Sequence, residues 1–81
     1  MATLVAEHYG QEVAALVKDP IIVAMAVGLK GVPKDELAHA DGTPRFTFML
    51  AANKEFASRG GKGAGSMGSV ARALLALLGD A

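Results

Sequence analysis

The sequence predicts an all-α fold, a small bundle of about five short helices. Three observations point that way. A capping residue precedes proline at Asp19-Pro20 and Thr43-Pro44, the usual way to open a helix. Glycines stand where the segments should end, at Gly28, Gly42, Gly60-Gly61 and Gly79. Apolar residues recur at three- and four-residue spacing in two of the segments. The alternative is an α+β fold with strands near 21–27 and 45–51. The first of these is rich in β-branched residues, and RFTFML alternates in polarity.

The first helix is expected over about 3–18, with Thr3 as cap. Val5, Tyr9, Val13, Leu16 and Val17 share one face, and Glu7, Gln11 and Lys18 the other. Gly10 falls inside it and should weaken it by about 1 kcal/mol relative to Ala. The second helix, 20–28, runs from Pro20 to a glycine stop. The third, 33–41, opens at Pro33 and closes near Gly42. The fourth, 44–59, carries a stripe of Phe46, Met49, Leu50 and Phe56. The fifth, 67–78, is capped by Ser66 or Ser69 and closed by Gly79. The expected organisation is one domain: a helical core over 1–59, a glycine-rich joint over 60–66, and an apolar terminal helix over 67–81.

Eighty-one residues allow one small core. With no Trp, few aromatics and much Ala, that core is thin, so stability should draw on a partner or on further copies of the chain. There is no cysteine, which excludes disulfides and thiolate metal sites. No basic run precedes an apolar stretch at the N-terminus, and the longest uncharged stretch, Pro20 to Leu29, is half of what a membrane span requires. A soluble protein is expected, cytoplasmic or held inside a particle assembled there, with no cofactor.

Charge is unevenly placed. Residues 1–42 hold Lys18, Lys30 and Lys34 against six carboxylates. Residues 43–79 hold Arg45, Lys54, Arg59, Lys62 and Arg72 against Glu55 alone. A basic half suits either an anionic ligand or the acidic half of another copy.

The terminal helix carries the main functional expectation. Val70, Leu74, Leu75, Leu77 and Leu78 leave Arg72 as its one interior charge, so it is apolar nearly all round. Such a helix is enclosed or meets a partner. We expect an interface there, giving self-association or docking on a larger protein assembly. The alternative is a DNA-binding domain. Residues 34–50, KDELAHADGTPRFTFML, resemble a helix-turn-helix, with Ala38 as the small residue at the helix contact and Gly42 as the turn. That resemblance implies nucleic acid as partner, with Arg45, Thr47 and Lys54 as contacts; separately, the glycine amides before the last helix, flanked by Arg59 and Lys62, could bind a phosphate or carboxylate. Asp41 and Thr43 depart from the pattern, which calls for apolar residues there.

Gly63-x-Gly65-x-x-Gly68 matches a dinucleotide-binding pattern, but a helix precedes it and too few residues follow for a βαβ unit. His8 and Glu12 could share a metal on one helix face, yet no third ligand is evident. No grouping of side chains has the geometry for acid–base or nucleophilic chemistry, so no enzyme activity is expected.

Overall fold

The structure, a computed structural model, describes residues 10–62 and 67–79. Among them run five helices: α1 Gln11–Leu16, α2 Pro20–Gly28, α3 Lys34–Leu37, α4 Phe46–Ser58 and α5 Ser69–Gly79. The fold is a small all-α bundle. Both segments considered as strands are helical, and the one strand-like feature among the described residues is an isolated antiparallel bridge between Ala38 and Pro44.

The helix expected across Gly10 instead starts there. Gly10 has φ 95° and ψ 172°, a region open essentially only to glycine, and its carbonyl accepts the Ala14 N–H at 3.1 Å. It is a boundary, not an interior weak point. The part of that expectation covering Thr3, Val5 and Tyr9 lies outside the described residues. After Leu16 a tight turn leads straight into Asp19, whose carboxylate accepts the Ile21 N–H at 2.9 Å. With Pro20 in the first turn, α2 opens as expected. Its end differs. Gly28 stays within the helix and Leu29 forms the cap at φ −97° and ψ 0°.

The third helix is one turn rather than the expected 33–41. Ala38 is already extended, at φ −139° and ψ 156°. The following residues make a compact loop: the Asp41 carboxylate accepts the Thr43 N–H and Oγ–H, and His39 and Thr43 pair through His39 N–H to Thr43 O at 2.8 Å. These local bonds satisfy the backbone without a helix. Thr43-Pro44 therefore belongs to the loop, and α4 starts two residues later, at Phe46.

Helix α4 buries Phe48, Ala52 and Phe56. Phe46 and Leu50, expected on the inner stripe, are 58% and 44% exposed. The sequence offers two apolar faces on this helix, and the core takes the one centred on Ala52. The helix ends at a Schellman turn. Gly60, at φ +87°, donates to Ala57 O at 3.0 Å and Gly61 donates to Phe56 O at 2.8 Å.

Helix α5 is the hub. Helices α1, α2 and α4 each pack on it, and Val70, Ala71, Ala73 and Leu74 have no exposed surface. Ala71 and Ala73 keep its girth small enough for three neighbours. Burial of Val70 and Leu74 contributes roughly 1.5–3 kcal/mol each before ordering entropy. One polar contact fixes its start: the buried Ser69 Oγ donates to Glu12 Oε1 at 2.8 Å. The carboxylate from α1 thus stands at the positive end of the α5 dipole.

Candidate docking groove

Part of the apolar surface left over by this packing lines a groove between α2 and α5, while Phe46, Leu50 and Met67 expose the rest elsewhere. Helix α2 is apolar all round, and only one side of it, Ile22, Met25 and Ala26, is buried. Val23 and Val27 point outward, 44% and 59% exposed. Beside them lies the second half of α5, where Leu75, Leu77 and Leu78 are only partly buried. Between the two elements runs a groove of about 510 Å³, walled by Val23, Val27, Leu29, Val32, Leu77 and Leu78 with Lys30 and Lys34 at its edge.

Lys34 also has an intramolecular role. Its Nζ lies 3.4 Å from the point where Gly79 would carry a Cβ. The ammonium therefore sits at the carbonyl end of α5, which the helix dipole makes negative. A second, shallower depression of about 320 Å³ opens on the other side of Leu29. Met25, Phe48, Ala51 and Ala52 line it, together with Glu55 and Arg59. Those two form an ion pair at 2.6 Å. Leu29 borders both depressions, and Gly28 is the neighbouring wall residue of the second. A Cβ at Gly28 would meet no atom within 4 Å. Glycine in a helix is weaker than Ala by roughly 0.5–1 kcal/mol, and nothing inside the fold requires it here.

The residues expected at the interface divide into two sets. Val70 and Leu74 are core residues with no exposed surface, so they cannot meet a partner while the chain is folded. For this half the expected interface gives way to enclosure, because three helices pack around it. Leu75 stays partly buried against the core, and Leu77 and Leu78 wall the groove. Sequence reasoning missed Val23 and Val27. The available signal was that 20–28 is as apolar all round as 69–78, so one of its faces had to be left over.

The helix-turn-helix is not formed. Its first helix is a single turn, and eight residues containing the Ala38–Pro44 bridge separate it from α4. The cations proposed as contacts are scattered or engaged. Arg45 Nε donates to Asp35 O at 2.6 Å, and Arg59 is paired with Glu55. Thr47, Lys54 and Lys62 are exposed. The glycine run's residues 63–66 and His8 lie outside the described residues, and Glu12 bonds Ser69 instead. Among the described residues, no group of three metal-ligating side chains occurs and no helix is long and apolar enough to cross a membrane.

The chain is 49% identical over 80 residues to the "Gene 80 protein" of Mycobacterium phage L5, a match covering 95% of this chain and 87% of that protein. No described protein family and no solved structure matches it.

Proposed function

The chain belongs to the family of that phage protein, and on this footing we propose that it is a non-enzymatic interaction protein that docks, on another copy or on a larger assembly, through the groove between α2 and the second half of α5. The relative's name states no activity, so the reading rests on the geometry. The observation that carries it is the uncovered apolar wall: Val27 is 59% exposed beside Leu77 and Leu78 in a groove of about 510 Å³. Contiguous apolar surface of this kind on a small domain marks a site of association. The wall also explains how so thin a core is supported, since binding to the folded state stabilises it by mass action.

The test compares wild type with Val27→Asp/Leu78→Asp. Both positions reach solvent, so circular dichroism should show an intact helical fold. Light scattering should show the variant losing self-association, or, where the wild type is monomeric, the variant should lose binding to apolar helical peptides. A wild type that is monomeric at every concentration and binds no such peptide refutes the reading.

A further inference from the structure

We propose that the groove's occupant is an acidic amphipathic helix of another protein, laid across Gly28 and Leu29 so that its side chains enter both depressions; this rests on the docking reading above.

Three features of the site carry the inference. The first is continuity. Leu29 borders the groove and the shallower depression alike, so the two meet at that residue and can be followed as one track. An amphipathic helix presents anchors at i, i+3, i+4 and i+7, a row that suits a track of this form. The second is Gly28, which lines the shallower depression next to Leu29. A Cβ there would touch nothing in this chain. The glycine relieves no internal contact and closes no internal turn, and its missing side chain leaves room for another backbone to approach α2.

The third is charge. The track's edge holds Lys30, Lys34 and Arg59 against one carboxylate, Glu55, which is already paired with Arg59. Asp35 and Glu36 flank Lys34 on α3 but do not line the track. A helix with carboxylates beside its apolar row meets this edge favourably. A second copy meets it poorly. A two-fold interface whose axis passes near Lys30 would set each copy's lysines beside the other's.

The experiment uses the full chain and two labelled peptides of about 18 residues, some five helical turns. Both carry the same Leu row; one is flanked by Glu and the other by Lys. Fluorescence anisotropy should show the Glu-flanked peptide binding about tenfold more tightly, with the difference shrinking as salt rises. Lys30→Glu should remove that preference. Gly28→Leu should abolish binding of the Glu-flanked peptide while thermal melts show the fold intact, because the new side chain occupies open space and replaces a poor helix former. Equal binding of the two peptides, or undiminished binding to Gly28→Leu, overturns the inference. A concentration-dependent dimer that Gly28→Leu dissociates also overturns it, since the occupant is then a second copy, while the docking reading stands. A monomer that binds neither peptide removes both.

Discussion

The two glycines that close α4 should each resist substitution, for different physical reasons, and the difference can be measured. Gly60 holds φ at +87° with no atom near the place of a Cβ. Alanine there meets only backbone strain, about 1–2 kcal/mol, part of which is offset by a stiffer unfolded chain. Gly61 has no positive φ to sustain. A Cβ on it would lie 2.5, 2.6 and 2.6 Å from three ring atoms of Phe56. That ring is 1% exposed and sits in the core beside α5, so it has little freedom to retreat. Overpacking of this kind costs about 1–3 kcal/mol. Each kcal/mol lowers the melting temperature of a domain this size by roughly 4–8 °C. A double-mutant cycle separates the two causes. In a Phe56→Leu background, which shrinks the obstructing ring, Gly61→Ala should lose about half or more of its effect, whereas Gly60→Ala should keep its own within about 0.5 kcal/mol. Urea unfolding followed by circular dichroism supplies the free energies. If Gly61→Ala is neutral, or equally harmful with and without the ring, the account of this turn is wrong.

Three further outcomes follow from the packing. Leu74→Ala should destabilise the fold by about 2–5 kcal/mol, because its site is sealed, while Leu78→Ala on the groove should cost well under half as much; chemical denaturation of the pair reads the contrast. Asp19→Ala should remove the cap of α2 and cost roughly 0.5–2 kcal/mol, with Asp19→Asn recovering most of it. The Thr43 hydroxyl, and after it the Thr43 amide, hold the Asp41 carboxyl below its ordinary 3.8. A carboxyl lowered on folding adds stability above its unfolded value and loses that addition as pH falls through the folded one. Carboxyl carbon shifts in an NMR titration should therefore show Asp41 titrating below 3.8, and Thr43→Val should move it back up.

The parts of this fold that could be read in advance were those decided within four or five residues. Asp19-Pro20 opens α2 through its own side chain, and Gly60-Gly61 closes α4 through its own amides. What escaped depends on distant partners or on close local competition. Gly28 looked like a stop because glycine so often ends helices, yet Leu29 could cap the helix with an ordinary φ. Helix α3 was overextended because Asp41 and Thr43 bond each other more readily than they extend a helix. The phase of α4 was misjudged because Phe46 and Phe48 are equally apolar, and only the position of α5 selects between them. The groove was half legible: Leu77 and Leu78 were anticipated, while Val23 and Val27 became visible once α2 had turned its Ile22 side inward.

The order of the helices along the chain shapes how the protein comes into being. The three longer helices that precede α5 share little surface with one another and meet mainly on it. Until residues 69–79 are made, Ile22, Phe48 and Phe56 lack the helix on which their own helices mainly pack. A chain cut short before residue 69 should therefore be digested rapidly in limited proteolysis, where the full chain resists.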